Sequence, residues 1–233
     1  LREALNELHQ LQDEGLLFSP EFEVPQTFAE TPILKSLCLH IAHDCNLRCG
    51  YCFAGTGDFG GYRAMMSKET AEQAVEFAIV GSRMRHNLEL DLFGGEPLMN
   101  PEVVKHVINY VRRRETETGK NIKLTLTTNG TLLNDEMIQF LNENRVMLLL
   151  SLDGKKETHD NMRPFPNKTG SYEAAVSGFK KVIESRNGKN YYLRGTYTHY
   201  NPHFAEDTLD MTRIGKELSV EPVVGIDEPY VLT

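Results

Sequence analysis

From residue 33 onward the chain repeats one pattern: a short apolar strand, a turn, then an amphipathic helix. That alternation commits a chain to a parallel sheet, because parallel neighbours can be joined only by a long crossover, usually a helix. The strands read as Lys35–Ile41, Leu88–Phe93, Ile122–Thr128, Val146–Leu152, Tyr191–Thr198 and Val220–Val224. In the second, Leu88, Leu90 and Leu92 alternate with Glu89 and Asp91; the fourth is a nearly continuous apolar run, suited to a strand buried on both faces. Helix starts are signalled by Ser67 with Glu69, by Asn100-Pro101-Glu102, by Asn134-Asp135-Glu136 and by Asn201-Pro202, and a further helix reads as Ser171–Arg186. Six strands with five helices between them imply an α/β fold. Right-handed crossovers could curve it into a partial barrel, with a flat doubly wound sheet as the alternative; a closed eight-stranded barrel needs more chain.

Residues 1–32 read differently. Leu1, Leu5, Leu8 and Leu11 recur at helical spacing, Gly15 closes the run, and a proline-spaced connector covers Ser19–Pro32. The chain starts without Met and stops soon after the sixth strand, so it reads as a piece of a longer protein. Its net charge of −8 argues against a nucleic-acid partner held by phosphate neutralisation. No apolar run approaches the ~20 residues that span a bilayer, and the start carries no signal-peptide hydrophobic region.

In parallel α/β folds the chemistry gathers at the C-terminal ends of the strands. After the first strand comes Cys45-Asn46-Leu47-Arg48-Cys49-Gly50-Tyr51-Cys52, which places three thiolates on one turn. Three thiolates are one short of a closed four-coordinate site, an arrangement suited to an iron–sulfur cube with one iron left for another ligand. A Cys3His zinc site completed by His40 or His43 is the rival reading. The fourth cysteine, Cys38, reads as a small buried hydrophobe, so the chain has no disulfide framework and suits a reducing, cytoplasmic setting. After the second strand comes Gly94-Gly95-Glu96-Pro97, where a backbone free of side chains can approach a ligand closely. The third ends in Thr128-Asn129-Gly130 and the fourth in Ser151-Leu152-Asp153-Gly154, both of which also serve as turn signals. Arg194 lies within a fifth strand otherwise suited to burial and calls for a carboxylate partner, unless that strand is an exposed edge. Arg48 reads as a solvated charge, and Met65-Met66 as packing.

Cys45-x3-Cys49-x2-Cys52, with aromatic Tyr51 before the last cysteine, resembles the radical S-adenosylmethionine (SAM, AdoMet) signature, and Gly94-Gly95-Glu96-Pro97 resembles that superfamily's second motif. The stretches after the third and fourth strands are similar to the branch with a C-terminal SPASM extension. Within it, His43–Cys49, Phe53–Gly61 and Asp91–Asn100 resemble the SCIFF peptide maturases. The resemblance implies a partial (β/α)6 TIM-like barrel over residues 33–233, truncated after strand six. Residues 1–32 would be the remnant of a peptide-binding module, and the auxiliary-cluster region would be missing. It implies a [4Fe-4S] cluster on Cys45, Cys49 and Cys52. AdoMet would be held by the Gly94–Pro97 strip, Tyr51, Asn129, Ser151, Asp153 and Arg194, with Arg163 as a further partner for its carboxylate. Reductive cleavage to a 5′-deoxyadenosyl radical would abstract hydrogen from a small cysteine-rich precursor peptide and close Cys–Thr thioethers. A flavodoxin- or ferredoxin-like protein would donate the electrons. Two alternatives stand beside this: an anaerobic sulfatase-maturing, formylglycine-generating enzyme, and a non-catalytic metal-stabilised binding module.

Overall fold

The computed structural model of the protein describes residues 2–17, 32–224 and 229–231. The chain divides into two compact units, Leu1–Pro32 and Ile33–Thr233. The first contains α1 (Arg2–Asp13), which ends where Gly15, at φ +68°, donates its N–H to the Gln12 carbonyl. Except for Pro32, the proline-spaced connector lies outside the described residues.

The second unit runs β1 (Ser36–Ala42), α2 (Lys68–Gly81), β2 (Asn87–Gly94), a 3-10 turn (Pro97–Met99), α3 (Pro101–Thr118), β3 (Asn121–Thr128), α4 (Asp135–Glu143), β4 (Met147–Ser151), α5 (Lys156–Met162), α6 (Tyr172–Ser185), β5 (Tyr191–Tyr197), α7 (Phe204–Met211) and β6 (Leu218–Pro222). The six strands form one sheet in the order β1-β2-β3-β4-β5-β6, every neighbouring pair parallel. A doubly wound sheet must reverse its strand order at a switch point. No reversal occurs here, so the order is that of an open segment of a (β/α) barrel.

Alternation decides which face of the sheet is covered. Leu88, Leu90 and Leu92 of β2, Ile122, Leu124 and Leu126 of β3, and Leu148 and Leu150 of β4 are all buried, in one core with Val75 of α2, Val104 and Ile108 of α3 and Phe179 of α6. Full burial of each such side chain contributes about 1.5–3 kcal/mol. The other face carries Glu89, Asp91, Lys123, Thr125 and Arg194 and stays partly open. In β4, Met147 and Leu149 are half-buried on that open face, so its apolar run does not mark burial on both sides. Cys38 is also there: it is exposed, with its Sγ 4.0 Å from Asp91 Oδ2, not packed in the core. Met66 packs against the core, but Met65 is exposed.

Two helix-start signals do other work. Ser67 and Asn134 cap as read, accepting from the Thr70 and Met137 N–H groups. Asn100 makes no cap bond; its Nδ2 donates to the carbonyls of Ile41 (3.1 Å) and Met66 (3.0 Å) and ties the start of α3 to the end of β1. Asn201 closes the turn after β5 by accepting from the Thr198 N–H (2.8 Å), and α7 begins later, at Phe204. Helix α5 has no counterpart in the sequence reading: only His159 and Met162 are buried in it, too few positions to show a helical period.

Candidate functional site

The cysteine loop leaves the end of β1 and is fastened along its length by backbone bonds. Gly95 donates its N–H to the Ala42 carbonyl (2.8 Å) and Glu96 to that of Asp44 (2.9 Å). Gly94 has φ +133°, and a Cβ on Gly95 would lie 2.2 Å from the Asp44 carbonyl oxygen. The Gly-Gly pair is thus required for the loop to seat on β2, whatever else approaches it. Further along, Arg48 and Gly50 donate their N–H groups to the carbonyls of Pro164 (2.8 Å) and Met162 (2.9 Å). Arg48 is not simply solvated: its Nη1 donates to the carbonyls of Cys45 (2.6 Å) and Leu47 (2.7 Å), closing the loop on itself around buried Leu47.

Donors are aimed at sulfur. The Leu47 N–H lies 3.4 Å and Asn129 Nδ2 3.9 Å from Cys45 Sγ. Asn129 also donates to Asn46 Oδ1 (2.9 Å) and accepts from the Thr131 N–H and hydroxyl, so its orientation is determined. Burial pushes the Cys45 thiol up to about 12 and the Cys49 thiol up to about 11. Ligation by iron would offset that cost by favouring the thiolates, which the N–H···S contacts also favour. Among the described residues no three His, Cys, Asp or Glu side chains converge on a single-ion site. His40 instead stacks on Phe59, with ring centroids 4.3 Å apart, and His43 packs against the same ring at a tilt, 5.2 Å away. With both histidines engaged by that ring, the donor set of the loop is its three thiols, and a cube asks each thiolate only to reach its own iron. The donor set fits such a cluster.

The carboxylates of the rim are engaged within the protein. Glu96 is 1% exposed; its Oε1 accepts from the Leu98 N–H (3.0 Å) and the Thr128 hydroxyl (2.8 Å), and its Oε2 from the Asn129 N–H (2.8 Å). Burial raises its pKa while these donors oppose the rise. Its side chain joins the ends of β2 and β3, and Pro97 opens the buried 3-10 turn beside it. Asp153 accepts from the Thr196 N–H at Oδ1 (3.0 Å) and from the Tyr51 hydroxyl at Oδ2 (2.5 Å), and Arg163 Nη1 donates to that same Tyr51 oxygen (2.5 Å). Tyr51, Asp153 and Arg163 are thereby one group. Ser151 and Arg194 are register partners on β4 and β5, apart from that group. Arg194 is 44% exposed and pairs with Glu221 at 2.7 Å, so the burial its strand suggested is not found. Sequence reading passed over Asn46, Thr131 and His159 and gave Arg48 no partner. Of these, Asn46 lies inside the cysteine loop, the one signal that could have drawn attention to it.

His159 is fully buried beneath this group. Its Nδ1 accepts from the Asp153 N–H (3.3 Å), which assigns the hydrogen to Nε2, where it donates to Ser171 Oγ (3.0 Å); Ser171 in turn donates to the Arg163 carbonyl (2.6 Å). Burial, then the Arg163 charge, lowers its pKa from 6.5 to about 3. Below pH 6.5 the unfolded chain therefore binds a proton that the folded one refuses, so stability falls with acid until about pH 3. One such proton costs about 1.4 kcal/mol per pH unit. Urea unfolding between pH 7 and 5 is expected to show a loss of about 2 kcal/mol that is absent in His159→Asn; equal slopes in the two proteins would refute the assignment.

Residues 39–214 match the sequence model of the Radical SAM superfamily. The cysteine-type anaerobic sulfatase-maturating enzyme of Clostridium novyi is 33% identical over 158 residues, covering 63% of this chain and 40% of that enzyme. The serine-type anaerobic sulfatase-maturating enzyme of Bacteroides thetaiotaomicron is 28% identical over 180 residues, covering 75% of this chain and 41% of that one. The chain spans about half, or less, of the length of the curated relatives it matches. Among solved structures, native anSMEcpe with bound AdoMet and Kp18Cys peptide superposes with a TM-score of 0.74 at 22% identity, over 86% of this chain and 56% of that one. That likeness establishes the shared fold.

Proposed function

Since the chain belongs to the radical SAM superfamily, whose cofactors are a [4Fe-4S] cluster and AdoMet, we propose that it is the catalytic core of a maturase that oxidises a cysteine or serine of a peptide or protein to formylglycine. The observation that carries the reading is the cysteine loop: three thiols on one turn, with N–H donors aimed at Cys45 Sγ, on a chain similar to cysteine-type and serine-type sulfatase-maturating enzymes. The SCIFF-type thioether reading is the second choice, because these relatives lie on the formylglycine side.

The residues divide the work. Cys45, Cys49 and Cys52 hold the cluster. When bound, the cluster and AdoMet supply reductive cleavage and a hydrogen-abstracting radical. Gly94 to Pro97 offer backbone carbonyls to the AdoMet ammonium, with the Glu96 side chain turned inward to brace the strip. Ser151 and Arg194, side by side on the open face, suit the ribose and carboxylate end. The open face of the sheet, lined by Asp91, Thr125 and Leu149, receives the peptide. Loop and sheet position the reacting atoms and exclude water.

Anaerobically reconstituted protein, dithionite and AdoMet should be incubated with a cysteine- or serine-bearing sulfatase peptide and, separately, with a cysteine-rich precursor peptide. The expected result is an aldehyde on the sulfatase peptide, trapped by a hydrazine. A product of the precursor peptide that has lost two hydrogens and resists thiol alkylation, with no aldehyde from the sulfatase peptide, would transfer the assignment to the thioether chemistry.

A further inference from the structure

Arg163 is the one arginine drawn into the group at the foot of the cysteine loop, and its surroundings are unusual for a residue that only binds ligand. Its side chain is 11% exposed and that of Asp153 is 0% exposed. Asp153 Oδ1 lies 3.9 Å from Nη1, and Tyr51 OH stands between the two, accepting from Arg163 (2.5 Å) and donating to Asp153 (2.5 Å). The residues on either side of it, Met162 and Pro164, carry the carbonyls that accept from Gly50 and Arg48 of the cysteine loop. The Arg163 carbonyl is itself held by Ser171. Main chain and side chain are thus both anchored directly against the loop. Nε is buried and has no protein partner, so one donor is left over.

A carboxylate ligand would have to share a guanidinium whose Nη1 already donates to Tyr51, with the Asp153 carboxylate 3.9 Å away. Its charge lies instead against the cysteine loop: the carbonyls on either side of Arg163 bond the N–H groups of Arg48 and Gly50, which flank Cys49, and Nη1 donates to Tyr51 one residue before Cys52. A fixed cation beside a cluster favours the more negative, reduced state.

We propose that Arg163, clamped by Tyr51 and Asp153, is a positioning residue that raises the reduction potential of the cluster and registers the cysteine loop against the ends of β4 and β5, and is not a ligand of the AdoMet carboxylate. The proposal rests on the cluster assignment made above. The test is an EPR-monitored redox titration of reconstituted wild type, Arg163→Lys, Arg163→Met and Tyr51→Phe, with iron and sulfide counted and AdoMet affinity measured on each. Arg163→Met is expected to leave at least tenfold fewer reduced clusters at a given poise, a fall of about 59 mV for one electron. Arg163→Lys should restore most of that, and AdoMet affinity should change less than about threefold. Tyr51→Phe, which keeps the packing and loses the bridging hydroxyl, should shift the potential the same way by a smaller amount, and it decides the matter if Arg163→Met does not fold. Unchanged potentials in every variant that folds, or a tenfold loss of AdoMet affinity at wild-type potential, would overturn the proposal. Failure of wild type itself to take up a [4Fe-4S] cluster would instead defeat the reading on which it depends.

Discussion

Cys49→Ala is expected to abolish both the iron–sulfur cluster and reductive cleavage of AdoMet while leaving the fold intact. The side chain is small, and the loop that carries it is secured independently, by the Arg48 and Gly50 backbone bonds to residues 164 and 162 and by the Arg48 side chain on the Cys45 and Leu47 carbonyls. Loss of an outer partner of a metal ligand typically costs 10–100-fold in affinity or activity, so loss of a ligand itself should cost more than about 100-fold. Iron and sulfide content and 5′-deoxyadenosine formed under dithionite are the readouts, with the melting temperature of the metal-free protein as the control. Cleavage at the wild-type rate would remove the cysteine loop from the chemistry altogether.

Gly95→Ala should be the most damaging single-methyl addition in the site, and for a reason that has nothing to do with cofactors. The new Cβ would sit 2.2 Å from the Asp44 carbonyl oxygen and 2.9 Å from the Gly57 Cα, and both contacts are with backbone, which cannot swing aside. The β2 end and the cysteine loop must therefore separate, at the expense of the Gly95–Ala42 and Glu96–Asp44 bonds. Overpacking of this kind costs about 3 kcal/mol, roughly 6–12 °C in melting temperature for a chain of this size. The loss should appear in the metal-free protein and be accompanied by poor cluster uptake. Gly50→Ala is the matched control: a Cβ there meets nothing within 4 Å, and stability should change by less than about 0.5 kcal/mol. A Gly95→Ala protein as stable as wild type would show that the glycine pair serves ligand access alone.

These outcomes bear on how much was legible beforehand. The alternation of Leu88, Leu90 and Leu92 with Glu89 and Asp91 located β2 to within a residue at either end, because a period of two is a property of the strand itself. The same logic misled at β4, where Met147 and Leu149 are as apolar as their buried neighbours yet lie on the open face. Apolarity identifies residues that can be buried, and the rest of the fold decides which ones are. Cys38 was misplaced for the same reason, since a small thiol is compatible with either face. Asn100 and Asn201 were read as helix starts because side-chain amides suit caps, but an amide will bond whichever backbone groups are nearest, and those were brought there by β1 and β5.

What the sequence determined by itself is local: the strand–helix alternation, the spacing of Cys45, Cys49 and Cys52, and the placing of each polar motif just after a strand. Bonding and side-chain periodicity act over a few residues, so a linear reading can detect them. Only the tertiary structure decided that Glu96 turns inward to brace β3, that Arg194 is half exposed on Glu221, and that Tyr51, Asp153 and Arg163 meet beneath the cysteine loop. Those partners are up to 112 positions apart in the chain. Their meeting follows from strand order and crossover packing, and no local pattern of residues encodes it.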